Sequence, residues 1–188
     1  AAWYAAKDRV QHGMADDLAE KVFTAWAKTS DTETTSLMIA SSNPAVRDLN
    51  DRARTERLAK GLVKKGGNDL SDGLRASAGD RIVTRRNDTG LRVTGTRGER
   101  VRNGDLWTVK TAHRDGSLTV RHLEHGGRIR LPADYVKEHC ELGYATTIHR
   151  SQGMTVDQVH VLVDDTMNRQ ALYLSLIHIS EPTRRYAI

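Results

Sequence analysis

GYATTIHRSQGMTVDQVHVLV, residues 143–163, is the stretch on which the reading of the fold turns. Its second half, Val159-His160-Val161-Leu162-Val163, is a short apolar run of β-branched and aliphatic residues and predicts a buried strand. Its first half packs small, hydroxyl and amide side chains around the basic pair His149-Arg150. Thr146 to Gly153 predicts a helix, and Asn168 to Tyr173 the start of another. Hydroxyls and amides at a strand-to-helix junction can cap the helix. They can also hydrogen-bond phosphate oxygens without stacking bulk in the way.

A second apolar run, Ser36-Leu37-Met38-Ile39-Ala40, has the same buried-strand character. It follows a helix predicted from Asp16-Asp17, with Leu18, Val22, Ala25 and Trp26 on one stripe, and a polar break at Thr29 to Thr35. Ser41-Ser42-Asn43-Pro44 comes next. Pro44 suits the first position of a helix carrying Val46, Leu49, Ala53 and Leu58 and stopping at Gly61. Helix, strand, helix at one end and strand again at the other is α/β patterning.

Between these ends the helical period is lost. Arg81 to Thr84, Leu106 to Ala112, Leu118 to Leu123 and Arg128 to Leu131 read as short strands. Asn103-Gly104, Asp115-Gly116 and Gly126-Gly127 mark the turns, and Pro132 the end. Such spacing predicts a small antiparallel barrel or sandwich. The economical organisation is one α/β domain, residues 1–62 and 135–173, with a β domain, residues 63–134, inserted into it.

The chain has 188 residues, 38% of them hydrophobic and 28% charged, which is a globular rather than a disordered composition. Its formal net charge is +5. Arg81 to Arg130 holds 12 Lys/Arg against 5 Asp/Glu, a net +7, so the rest is near −2. A basic block on short strands fits a polyanion surface or a merely solvated face. The lone Cys140 excludes an internal disulfide and a multi-cysteine zinc site, and reads as a small buried residue. His122 and His125 lie near a turn without a third ligand in view. No run is apolar enough to span a bilayer, and no signal peptide is visible. A cytoplasmic chain with no membrane partner is expected. It starts Ala-Ala-Trp without methionine, so a piece of something longer is expected too.

No Gly-x-x-x-x-Gly-Lys-Ser/Thr loop, His-Glu-x-x-His pair or Gly-x-Ser-x-Gly elbow occurs. What does occur is a resemblance in three blocks. Gly143 to Val163 looks like motif V of superfamily 1 DNA helicases of the RecD-like branch. Ser36 to Asn50 (SLMIASSNPAVRDLN) is similar to the motif IV region opening their second RecA-like domain. Gly79 to Asp88 through Val101 to Asp105 resembles the start of an inserted SH3-like barrel. Residues 1–173 together resemble the helicase part of TrwC-type conjugative relaxases. Leu174 to Arg184 (LSLIHISEPTR) resembles a translated sequencing-library adapter, so 174–188 is set aside as a non-native tail.

The resemblance implies an α/β fold, a RecA-like parallel sheet with an inserted SH3-like barrel. It implies a fragment of an ATP-dependent 5′-to-3′ helicase that moves on single-stranded DNA, with ATP and Mg²⁺ held only in the full-length parent together with a missing N-terminal RecA-like domain. Gln152 and Gly153 would lie near the nucleotide. Ser41, Ser42, Asn43, Arg85, Arg86, Thr146, Thr147 and His149 would face DNA. Leu172-Tyr173 match the start of motif VI, whose arginine has no counterpart here, and Thr155 stands where relatives often carry Glu. No catalysis by this chain alone is therefore expected. The alternative is a non-catalytic nucleic-acid-binding module that works through its basic barrel.

Overall fold

In the computed structural model, which describes residues 15–30, 35–152, 154–162 and 186–187, the run Ser36–Ala40 forms strand β1 with every residue buried. Burial on both faces is what an apolar strand of a parallel sheet requires. β1 pairs in parallel with β11 (Ala145–Thr147) on one side and β12 (Gln158–Val161) on the other. The registers are Met38↔Ala145 and Leu37↔Val159. The backbone pairing of the two runs continues to Leu162, whose N–H donates to the Ile39 carbonyl at 2.7 Å. The two-residue strand β13 (Tyr186–Ala187) completes the order β11-β1-β12-β13.

Helix α1 (Ala15–Ser30) packs on β1 and β12. Its Trp26 is fully buried, and the indole N–H donates to the Ser36 carbonyl at 3.4 Å. The Thr29 hydroxyl donates to the Trp26 carbonyl at 2.9 Å and lies 3.2 Å from Nε2 of His160, which is buried in β12. Nδ1 of His160 has no hydrogen-bond partner, and burial holds this imidazole down at a pKa of about 4.

Helix α2 (Asn43–Ala59) follows β1, and Gly61 beyond its end takes φ 70°. It passes from one compact unit into the other. The first comprises residues 1–49 and 145–188, the second residues 50–144. The inserted unit is therefore wider than the expected 63–134, and strand β10 explains the C-terminal difference.

The second unit is built on a five-stranded antiparallel sheet in the order β10-β4-β7-β8-β9. Its strands are β4 (Arg81–Thr84), β7 (Leu106–Ala112), β8 (Leu118–His122), β9 (Arg128–Leu131) and β10 (Cys140–Leu142). Two small hairpins flank it: β2 (Asn68–Asp69) with β3 (Arg75–Ala76), and β5 (Asp88–Arg92) with β6 (Arg100–Val101). Ile82, Trp107, Leu118, Val120, Leu131, Val136 and Leu142 form its core, each fully buried. Pro132 does not end the unit. It precedes helix α3 (Ala133–His139), which delivers Cys140–Leu142 to the free edge of β4 with Glu141 opposite Val83. A three-residue strand leaves too short an alternation to be seen in sequence.

Asp80 organises the entry to this sheet. Its fully buried carboxylate accepts from the Ser77 N–H at 2.8 Å, Arg54 Nε at 3.1 Å and the Tyr144 hydroxyl at 2.8 Å. The Arg57 guanidinium lies 5.7 Å from the Tyr144 ring centroid, and the Tyr144 N–H donates to Asn50 Oδ1 at 3.1 Å. Gly79 takes φ 99°, and a Cβ there would overlap the Leu62 carbonyl, so only glycine fits.

Candidate nucleic-acid interface

Because β1 and β11 are adjacent and parallel, their C-terminal ends leave the sheet side by side, with Ala40 opposite Thr147. Ligands of α/β sheets bind outside such strand ends. Ser41, Ser42 and Asn43 follow one strand. Ile148 and the 3₁₀ turn His149–Ser151 follow the other. The expected helix over Thr146 to Gly153 is replaced by this strand and single turn. The β-branched pair Thr146-Thr147 favours extended backbone over helix, and the chain turns helical only from Ile148.

The Ser42 hydroxyl accepts from the Ala45 N–H at 3.4 Å, and its carbonyl from the Val46 N–H at 3.0 Å, so Ser42 caps α2. Asn43 is exposed at the start of that 17-residue helix, where unpaired N–H groups and the helix dipole favour an anion. In the second loop the Ser151 hydroxyl donates to the Ile148 carbonyl at 2.7 Å and fixes the turn. His149, Arg150 and Gln152 are exposed beyond it. The chain then returns to Asp157, whose carboxylate accepts from the Thr35 N–H at 2.7 Å, before β12 begins.

The expected residues thus separate into groups. Ser41, Ser42, Asn43, Thr147, His149 and Gln152 come together at one end of the parallel sheet, with Thr147, Ser41 and Ser42 half-buried. Thr146 is enclosed within the sheet at 1% exposure and has no open face for a strand of DNA. Gly153, Val163, the helix expected from Asn168, and all of the tail except Tyr186 and Ala187 lie outside the described residues. Arg150 belongs to this edge as well, and its place beside His149 in the sequence was the available signal.

Arg85 and Arg86 lie in the other unit. Arg85 Nε donates to Glu141 Oε2 at 2.8 Å with both side chains largely buried, an ion pair that ties the end of β4 to β10. That pairing leaves the Arg85 side chain 12% exposed. Arg86 is exposed, with Nη1 at 3.1 Å from His139 Nε2, and its carbonyl accepts from the Tyr135 hydroxyl.

Cys140 is fully buried, and burial pushes its thiol above the ordinary range. Among the described residues no three His, Cys, Asp or Glu side chains converge as a metal site, and no helix is long and apolar enough to cross a membrane.

Residues 69–141 match the Rv2311 SH3-like barrel domain family. Over 177 residues, 92% of its length, the chain is 30% identical to a probable conjugal transfer protein TraA of Sinorhizobium fredii. It spans 15% of that relative. An uncharacterized protein of Mycobacterium tuberculosis, Rv2311, is 36% identical over 89 residues, 46% of this chain and 50% of that protein. In fold, the chain is similar to a Pif1 helicase from Bacteroides solved in complex with ADP-AlF3 and ssDNA. The TM-score is 0.51 at 21% identity, covering 87% of this chain and 43% of that one. The chain accordingly combines a RecA-like parallel sheet with an SH3-like barrel and is similar, over nine-tenths of its own length, to part of a conjugal transfer protein TraA.

Proposed function

We propose that this chain is the strand-gripping part of an ATP-driven DNA motor serving conjugative transfer, moving 5′-to-3′ on single-stranded DNA in the cytoplasm. The observation that carries this reading is the adjacency of the loops after β1 and β11. Asn43, His149 and Arg150 are exposed there beside the hydroxyls of Ser41, Ser42 and Thr147. A motor must hold any sequence, so it needs contacts to phosphate and sugar rather than to base edges. Charged, amide and hydroxyl donors at a helix start supply them. The likeness to TraA proteins and to Pif1 structures supports the same reading.

Gln152 is exposed on that loop, with Gly153 next to it in sequence, and we assign the nucleotide contact to this pair. Residues 41–43 and 149–152 of the two loops include no carboxylate for a phosphate-bound Mg²⁺. We therefore assign the nucleotide cradle and its metal to a partner domain of the parent protein. In that parent, Gln152→Ala lowers ATP turnover more than DNA affinity.

The test uses the 188-residue chain and a fluorescein-labelled oligothymidylate, with anisotropy read across a salt series. Binding weakens with salt. Arg150→Ala reduces the slope of log K against log salt by about 0.7, the value for one phosphate contact on a single strand. Asn43→Ala and His149→Ala weaken binding severalfold. No binding at low salt, or three variants indistinguishable from the parent sequence, overturns the reading. ATP turnover by this chain alone would overturn the assignment of the cradle to a partner domain.

A further inference from the structure

The turn between β8 and β9 has the sequence Arg121-His122-Leu123-Glu124-His125-Gly126-Gly127-Arg128. His122 ends β8 on the covered side of the sheet, and its ring meets the fully buried Trp107 edge-on, centroids 4.8 Å apart. His125 folds back on His122 so that the rings stack, centroids 3.7 Å apart and planes within 6°. His125 is exposed. One face of its ring is covered by His122, so what it offers to solvent is the other face.

The stack is held by the backbone. Nδ1 of His122 accepts from the N–H groups of Glu124 at 3.2 Å and His125 at 3.4 Å. Nδ1 of His125 accepts from the Gly127 N–H at 3.1 Å. An accepting Nδ1 puts the ring proton on Nε2 in both residues. His125 is kept below the ordinary histidine range by partial burial and by its neighbour His122, so its ring is uncharged at neutral pH. A Cβ on Gly127 would come within 2.6 Å of Val93 Cγ1 and 2.9 Å of His125 Nδ1, so a glycine is required for the imidazole to lie where it does.

A second observation concerns charge. Arg121 and Arg128 stand directly opposite each other in the antiparallel ladder, both exposed, and neither makes an ion pair among the described residues. Like charges so placed repel. The same row continues through Thr108 to Arg81 on β7 and β4. Arg121 Nε donates to the Gly126 carbonyl at 3.3 Å, which sets this guanidinium one residue from His125. The one acidic side chain of the turn is Glu124, also exposed.

We infer that this turn is a binding site for one nucleotide unit of a single-stranded nucleic acid, its base stacked on the open face of His125 and its phosphates held by Arg121 and Arg128. A neutral aromatic face in a turn whose two strands carry the exposed Arg121 and Arg128 suits a base and a neighbouring phosphate together. Only an unpaired strand leaves the base face free to stack. The inference rests on the reading of the chain as a DNA-gripping protein.

The experiment compares the 188-residue chain with its His125→Ala, His125→Tyr, Arg121→Gln and Arg128→Gln variants. Two labelled probes are used, an oligothymidylate and an abasic deoxyribose-phosphate oligomer of equal length, with circular dichroism melts as a control on folding. His125→Ala weakens oligothymidylate binding at least about fivefold, the scale of one stacked base, and leaves the abasic probe unaffected. His125→Tyr restores binding. Each arginine variant weakens both probes and lowers the salt slope. Equal affinity of His125→Ala and the parent sequence for oligothymidylate overturns the stacking site while the wider reading stands. Failure of the unaltered chain to bind either probe overturns the wider reading, and this inference with it.

Discussion

At the scale of single residues, the fold rests on a few buried polar groups whose partners lie far away in sequence. His160 is one. Its ordinary pKa of 6.5 is lowered to about 4 by burial, with Nε2 facing Thr29 and Nδ1 unpartnered. Below pH 6.5 the unfolded chain takes up a proton that the folded chain does not. Stability is therefore lost as pH falls from about 6.5 to about 4, and this group contributes no further loss below that, in all about 3 kcal/mol. His160→Leu removes this dependence, which urea midpoints measured at pH 7.5 and pH 5 would show as a smaller difference than in the unaltered chain. Asp80 is the second case. Arg54→Met leaves a fully buried carboxylate without its cation and lowers unfolding free energy by about 3 kcal/mol in urea titrations. None of these pairings was legible in the sequence. His160 reads as one more member of a strand, and Arg54, Asp80 and Tyr144 meet only after the chain has folded. What was legible was Cys140 as a buried residue, because a single cysteine without metal-ligand spacing has few other uses.

At the scale of elements, sequence patterning found what was long and regular. The two apolar runs at Ser36 and Val159 pair in parallel as expected, because residues buried on both faces leave an uninterrupted aliphatic signature. The four main barrel strands appear within a residue of where alternation placed them, each bounded by a glycine or proline turn. The failures were short elements. α3 and β10 follow a proline that was read as an end, and β11 with its 3₁₀ turn was read as one helix. Hydroxyl residues serve a strand end and a helix start equally well, and the neighbouring strand β1 decides between them. For the candidate site the same limit applied. Ser41 to Asn43 and Thr147 to Gln152 could be named as two loops, yet their adjacency comes from the register Ala40↔Thr147, which no local pattern encodes. Capping gives a test at this scale. Ser42→Ala costs about 1 kcal/mol by removing the acceptor for the Ala45 N–H, measured by denaturant unfolding. Gly79→Ala costs more, about 2 kcal/mol or above, since it combines a positive φ with overlap at the Leu62 carbonyl.

At the scale of the molecule, the inserted unit is defined by which strand closes its sheet. A polypeptide of residues 63–134 would lack β10 and leave β4 as an open edge, a template for association between chains. Residues 50–144 retain β10, Tyr144 and the Arg54–Asp80 pair. The shorter piece is expected to aggregate and the longer to give a dispersed amide spectrum, which size-exclusion chromatography and two-dimensional NMR would separate. The C-terminal limit was not legible because Cys140-Glu141-Leu142 carries no pattern beyond its own three residues. The sealing of Cys140 in that closing strand has a practical use. The molecule's lone sulfhydryl should stay silent toward Ellman's reagent until denaturant is added, then titrate as one equivalent. A dye could therefore be coupled to a cysteine introduced at the exposed Thr89, with no need to strip out the native one.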